Sequence, residues 1–327
     1  MRFSAKLEEI AKAIEEMRIR GATPIARAAA EALIMEAEES RASTPEEFVK
    51  EMDGAARRLL STRPTAVSLP NAIRFVMFRI LSAYRNGVSV EDLRRTAVEA
   101  GKEFLKRVDE AKKVIAKIGS KRIVSGDTIL THCNSSAVVA ILTEAKRQGK
   151  DIRVIATETR PKFQGRLTAM QLAEAGIPVT LIVDSAARFF MKKVDKVFVG
   201  ADAVASNGAV VNKIGTSMIA LAAKEARVRV FVAAETYKFS PETIIGELIK
   251  IEERNPEEVI PRGFLDRYPL VSVRNPSFDV TPPDYIDLII TEKGAIPPQA
   301  AYIIIQSEIS EIGYEDYMRY TTYLEES

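Results

Sequence analysis

An all-helical N-terminal domain followed by a doubly wound parallel α/β sheet is the fold class that the sequence predicts, on three observations. Residues 3–118 place apolar side chains at helical spacing behind explicit start signals. From Gly119 onward, short β-branched runs alternate with helical stretches. Those runs are continuously apolar, as strands buried on both faces of a sheet must be.

Within the first domain, residues 3–18 set Leu7, Ile10, Ala11 and Ile14 on one face with Lys and Glu between them, and Gly21 interrupts the pattern. Thr23-Pro24 then predicts an N-cap followed by proline in the first turn, and Thr44-Pro45-Glu46-Glu47 repeats the device with a carboxylate at the capping-box position. A helix over 68–84 buries Ile73, Val76, Met77, Ile80 and Leu81, and Ser89 with Asp92 opens a long amphipathic segment over 89–118. The predicted domains are therefore 1–118, helical, and 119–327, a Rossmann-like α/β domain. Its strands are predicted at 128–131, 153–156, 179–183, 196–199, 228–233 and 285–290, with helices at 136–148, 166–175, 185–191 and 215–226. Near the end, Tyr314, Tyr317, Tyr320 and Tyr323 form a three-spaced aromatic stripe, read as packing or subunit contact.

Composition narrows the chemistry. The 327 residues include 47 Lys+Arg against 45 Asp+Glu, one cysteine, one histidine and no tryptophan. A hydrophobic fraction of 46% with 28% charged residues excludes intrinsic disorder. A single thiol excludes an internal disulfide, and one Cys with one His excludes a structural zinc site of about four ligands. A net charge of +2 gives no nucleic-acid footprint, and no apolar run approaches the ~20 residues of a membrane helix. The start, Met1-Arg2-Phe3-Ser4, lacks a secretory apolar core, so a cytoplasmic location is expected. Asn and Gln together number twelve beside abundant Lys, Arg and Glu, a bias of hyperthermophile proteins.

Ligands of doubly wound sheets bind beyond the carboxyl ends of the strands, so the residues there are the candidates. The first strand runs into Thr131-His132-Cys133-Asn134-Ser135-Ser136 before a helix. A thiol facing a helix N-terminus is expected to favour thiolate, and the same amides, with Ser135 and Ser136, suit a phosphate. A lone cysteine is more often a small buried hydrophobe, but one in a core sits inside an apolar run, and Cys133 does not. His132 should point to the opposite face and act as a satisfied core histidine.

The fourth strand ends Gly200-Ala201-Asp202, where partial desolvation would suit a carboxylate to acid work, or Asp202 simply caps a turn. Asn207-Gly208 marks a hairpin that delivers Asn212 and Lys213, with Gly215 at a helix start. Arg20-Gly21-Ala22-Thr23 and Arg63-Pro64-Thr65-Ala66 combine guanidinium groups with helix starts, an anion-binding arrangement. Glu158-Thr159-Arg160-Pro161 with Gln164-Gly165-Arg166 adds a polar cluster after the second strand. No Gly-rich fingerprint follows the first strand, so no dinucleotide cofactor is expected.

Taken together, Arg20-Gly21-Ala22, Arg63-Pro64-Thr65-Ala66, Thr131-His132-Cys133-Asn134, Glu158-Thr159-Arg160-Pro161, Gly200-Ala201-Asp202, Asn212-Lys213-Ile214-Gly215 and the run Asn275 to Pro283 resemble the signatures of the initiation-factor-2B-related family. That family holds regulatory subunits of a translational nucleotide-exchange factor and two sugar-phosphate isomerases, acting on methylthioribose 1-phosphate and on ribose 1,5-bisphosphate. In both isomerase branches the cysteine and aspartate matching Cys133 and Asp202 are catalytic, and the regulatory branch generally lacks them. Ser135 and Ser136 depart from the small residues of the methylthioribose branch, and with Lys238 suit a second phosphate.

The resemblance therefore implies an aldose-ketose isomerase converting ribose 1,5-bisphosphate to ribulose 1,5-bisphosphate in archaeal AMP breakdown, with a methylthioribose-1-phosphate isomerase or a non-catalytic regulatory subunit as alternatives. It implies Asp202 as the acid at the ring oxygen and Cys133 as the base at C2. Arg20, Gly21, Ala22, Thr23, Arg63, Ser135, Ser136, Gln164, Asn212, Lys213 and Lys238 are its candidate substrate contacts. It further implies no cofactor or metal, a phosphorylated pentose as ligand, AMP as a candidate activator, and a homodimer or homohexamer.

Overall fold

The computed structural model describes residues 3–312 and Tyr320, and the chain divides into two compact units, each discontinuous in sequence. The first holds residues up to Ala111 together with Tyr237–Glu247 and the chain from Ile303; the second holds Lys112–Thr236 and Leu248–Tyr302.

Helices α1 (Ala5–Glu15), α2 (Ala22–Glu39), α3 (Pro45–Leu60), α4 (Ser68–Arg85) and α5 (Val90–Ser120) occur where the periodicity puts them. At α3 the predicted cap forms: Thr44 Oγ1 accepts from the Glu47 amide at 3.2 Å, while the Glu47 carboxylate reaches back to Ser43. At α2 the expected cap is displaced, because Gly21 takes the N-cap with φ +91° and Thr23 lies inside the first turn, bonded to the Tyr237 hydroxyl. Buried alanines line α2, and a Cβ added at Gly101 of α5 would come within 2.4 Å of Ile34, so small residues set the close packing here. Tyr320 is buried in this core with its hydroxyl on Asp53; Tyr314, Tyr317 and Tyr323 lie outside the described residues.

Periodicity gives no hint that residues 237–247 belong with these helices. They are short 3₁₀ turns held by polar contacts. Asn71 donates to the carbonyls of Tyr237 and Phe239 at 2.8 and 2.9 Å, and buried Arg74 pairs with buried Glu242, which also accepts from Ser240.

In the second unit come β1 (Thr128–His132), α6 (Ser136–Arg147), β2 (Arg153–Thr157), α7 (Gln164–Glu174), β3 (Val179–Ile182), α8 (Ala187–Phe190), β4 (Lys196–Gly200), β5 (Ala203–Val204), β6 (Val210–Lys213), α9 (Thr216–Glu225) and β7 (Arg229–Ala233). They are followed by α10 (Phe264–Arg267), β8 (Phe278–Thr281), β9 (Leu288–Thr291) and β10 (Gly294–Ile296), and then by α11 (Ala301–Ile312), most of which belongs to the first unit. A seven-stranded sheet runs β10-β9-β7-β4-β1-β2-β3, parallel except for β10, which pairs antiparallel with β9 at one edge.

The last predicted parallel strand is shifted to β9, because Pro283–Tyr285 forms a 3₁₀ turn instead. The Asn207-Gly208 hairpin forms as read, with Gly208 at φ +85°, and β5, β6 and β8 make a small antiparallel sheet that the sequence pattern only half announces. The parallel core packs Ile129, Ile141, Leu142, Val154, Phe198 and Phe231, with the two phenylalanines stacked at 4.9 Å. Among the described residues no helix is long and apolar enough to cross a membrane.

Glu242→Ala should destabilise the helical unit by about 3 kcal/mol, since it leaves the Arg74 charge buried without its carboxylate. The double variant Arg74→Met/Glu242→Leu should lose less than Glu242→Ala alone, as measured by urea unfolding.

Candidate active site

The chain winds from β1 through β2 to β3 on one side of β1, then returns to place β4 on the other. β1 and β4 pair directly, His132 opposite Val199, so their carboxyl ends emerge side by side at the point where the winding reverses, the preferred ligand crevice of such sheets. Cys133 follows the first end and Asp202 the second. A close approach is built in. A Cβ on Gly200 would lie 2.6 Å from Ser135 Oγ, so only glycine lets the start of α6 rest on the end of β4.

Cys133 is half-buried and left-handed, with φ +66°. Its amide donates to Thr159 Oγ1 at 2.9 Å, and its carbonyl accepts from Thr168 Oγ1 at 2.7 Å. Asn134 donates to Thr168 and to Gln171, extending the polar support onto α7.

The expectation of a thiolate is overturned: burial pushes the Cys133 thiol up to about 11, the nearby Asp202 and Asp184 charges push the same way, and Lys213 and the Asn134 amide oppose them. The physical reason lies in the start of α6. The helix begins at Ser136, its N-cap is Ser135, and Ser135 Oγ accepts the Val138 amide, so the dipole end is partly answered before it reaches the sulfur. Desolvation then prevails.

Lys213 ends β6, with its ammonium 4.7 Å from the Phe278 ring centroid. Asn212 beside it is buried and donates to Thr216 Oγ1, which donates to the Lys213 carbonyl, fixing the turn into α9. Asp279 holds the same turn from β8 by accepting the amides of Gly215 and Ser217 at 2.8 and 3.1 Å; burial outweighs those bonds and raises its carboxyl to about 6. Asp202 is half-buried, its amide on the Val211 carbonyl at 2.9 Å.

His132 takes the supporting role expected of it, buried with both ring nitrogens engaged. Nε2 lies 2.8 Å from the Ile214 carbonyl, which can only accept, so Nε2 bears the proton and Nδ1 accepts from Thr157 at 2.6 Å. Burial lowers its basicity, which keeps this neutral tautomer. Its ring also explains Gly215, where a Cβ would lie 3.2 Å from the imidazole.

The α/β unit thus gathers Cys133, Ser135, Ser136, Gln164, Asp202, Asn212 and Lys213 on its strand ends and the turns that follow them. Gln164 Oε1 is buried and accepts no hydrogen bond from the described residues. Arg20, Gly21, Ala22, Thr23, Arg63 and Lys238 belong to the helical unit. There Arg20 is exposed, Arg63 and Lys238 are buried, and α2 starts without a side-chain cap, while Ser68 donates to the Ala22 carbonyl.

Thr168, Asp184 and Asp279 escaped sequence reasoning as site residues. Asp184 accepts the Thr159 and Arg160 amides at 2.8 and 2.7 Å, and an aspartate directly after an apolar strand was its only signal. Among the described residues no three His, Cys, Asp or Glu side chains form a metal-binding group.

With a single cysteine, the ionisation can be read directly. Iodoacetamide labelling of Cys133, followed by mass spectrometry, should accelerate through pH 8.5 without levelling. In Lys213→Met the rate at pH 9 should fall about tenfold if removal of the ammonium raises the thiol by one further unit.

The sequence matches the model of the Initiation factor 2 subunit family over residues 18–298. It is 56% identical over 301 residues to the ribose 1,5-bisphosphate isomerase of Pyrococcus furiosus, covering 92% of this chain and 93% of that one. To the methylthioribose-1-phosphate isomerase of Acetivibrio thermocellus the identity is 41% over 304 residues, covering 89% and 88%. A crystal structure of the Pyrococcus horikoshii translation initiation factor eIF-2B superposes with a TM-score of 0.77 at 34% identity, covering 90% of this chain and 98% of that one. By the extent of these matches, this chain belongs to the Initiation factor 2 subunit family.

Proposed function

We propose that the protein is an aldose-ketose isomerase converting ribose 1,5-bisphosphate to ribulose 1,5-bisphosphate. The observation that carries this reading is the position of a thiol and a carboxylate on the adjacent ends of β1 and β4, each beside the topological switch point. The greater identity to the bisphosphate isomerase, 56% against 41% for the methylthioribose enzyme, supports the choice of substrate.

An aldose with phosphate on its anomeric oxygen cannot open to a free aldehyde. The ring C1–O4 bond must break as the C2 proton leaves, giving an enol phosphate, with a proton delivered to O4. Protonation at C1 and loss of the C2 hydroxyl proton then yield the ketose. Burial of Cys133 favours the reverse of the roles expected from the sequence. A thiol held near 11 enters as S–H and gives its proton to O4, while the Asp202 carboxylate takes the C2 proton and returns it to C1. Lys213 steadies the thiolate left behind, which takes up the C2 hydroxyl proton and so returns to S–H. The start of α6 with Ser135 and Ser136 suits a phosphate, and Gln164 Oε1, lacking a partner among the described residues, suits a sugar hydroxyl. Arg20, Gly21, Ala22, Thr23, Arg63 and Lys238 are proposed phosphate contacts on the helical unit.

The test is conversion of ribose 1,5-bisphosphate by the purified protein, compared with methylthioribose 1-phosphate. Turnover of the bisphosphate should be preferred, and Cys133→Ser and Asp202→Asn should each lower kcat by about 10² to 10⁴ fold. Undiminished activity in both variants would falsify the assigned roles. AMP activation and assembly into a homodimer or homohexamer belong to the same reading, tested by the same assay with AMP and by light scattering.

A further inference from the structure

Cys133 is one of five non-glycine residues with positive φ among those described, and Thr159 is another. Holding a residue with a Cβ in the left-handed region strains it relative to its ordinary conformation. Such strain persists only where surrounding structure over-determines it. At Cys133 that structure is specific: both backbone polar groups are taken by threonine hydroxyls from two different segments. Thr159, in the turn after β2, accepts the amide. Thr168, on α7, donates to the carbonyl.

Each threonine is itself held. Thr159 is buried, left-handed at φ +64°, and its amide is bound by Asp184. Thr168 is buried and its hydroxyl accepts from Asn134, the residue after the cysteine. At Gly165 the start of α7 lies so close to β2 that an added Cβ would fall 1.7 Å from the Thr157 carbonyl oxygen, which sets where Thr168 stands.

We propose that Thr159 and Thr168 are positioning residues that clamp the backbone of Cys133 and thereby aim its thiol into the desolvated strand-end crevice. The clamp acts through hydroxyls, not through bulk, so serine serves at either position and valine does not. The inference rests on the assignment of Cys133 to the reaction, but the clamp itself is readable without turnover. The charged groups that act on the sulfur are Lys213 on β6, Asp202 after β4 and Asp184 after β3. None is altered by the substitutions.

The experiment compares Thr159→Val, Thr159→Ser, Thr168→Val and Thr168→Ser in the full chain, with Tm recorded for each. Two readouts are taken, iodoacetamide labelling of Cys133 against pH and the kinetics of ribose 1,5-bisphosphate conversion. The valine variants should release the sulfur toward water, lowering the midpoint of labelling by at least one pH unit. They should also lower kcat at least tenfold with KM within twofold. The serine variants should restore both readouts to within about threefold of the parent.

A labelling midpoint unchanged in both valine variants overturns the clamp, as does a serine variant that fails as badly as valine while matching it in lost Tm. If the parent protein turns over neither sugar, the isomerase reading fails while the labelling arm still decides the clamp. The two threonines hold opposite ends of one residue, so misfolding of either valine variant leaves the other to decide.

Discussion

Parallel pairing of β1 with β4 sets a geometric constraint on everything around Cys133. Parallel strands end at the same edge, and reversal of the winding between these two leaves no crossover helix between their ends. The crevice so formed must then be furnished by short segments reaching in from neighbouring strands. The turn after β2 brings Thr159, the start of α7 brings Gln164 and Thr168, and the β5–β6 hairpin brings Asn212 and Lys213. Three glycines mark where these segments crowd: Gly165 against β2, Gly200 against Ser135, and Gly215 against His132. A side chain at any of the three would have to occupy space already filled.

His132 shows how the small sheet is fastened to the large one. Its two ring nitrogens join the end of β1 to Thr157 of β2 and to the carbonyl following Lys213. A neutral imidazole with one donor and one acceptor fits that pair of partners, and burial keeps it neutral. A protonated ring would carry a second donor where a hydroxyl now donates. Asp279 complements this from β8, holding the α9 turn through two amides, so Lys213 is braced on both sides.

Strand ends were legible because they are local: an apolar run, then small or polar residues, then a capping signal. That reasoning picked out Cys133, Asp202 and Lys213, which the fold sets at its strand ends, and expected the satisfied, buried His132. What it missed depends on three-dimensional neighbours. Thr168 is an ordinary helical threonine until α7 lies beside the turn at Cys133. The segment 237–247 has no periodicity of its own, because its place is fixed by Asn71 and by the Arg74–Glu242 pair on a distant helix. Position 285 was read as strand because its composition is apolar, yet two prolines at 282 and 283 cap a 3₁₀ turn there. The sign of the thiol shift was misjudged for a related reason. A helix N-terminus is visible in sequence, whereas the degree to which a sulfur is removed from water is not.

That sign bears on which group gives a proton and which takes one in the proposed reaction. A base whose conjugate acid ionises near 11 must first be stripped of its proton at neutral pH, an uphill step. An acid with the same value begins in its working form. In the proposed reaction a bound bisphosphate adds negative charge, and like charge disfavours ionisation further, so substrate binding keeps the sulfur protonated rather than priming it as a base. Lys213 then takes a part beyond the substrate contact expected from the sequence: its ammonium matters once the proton has moved to the ring oxygen and a thiolate stands near Asp202. The cation, the thiol and the carboxylate form one sequence of charges, in which Lys213 limits how far the sulfur is pushed up and so leaves it acidic enough to give its proton away.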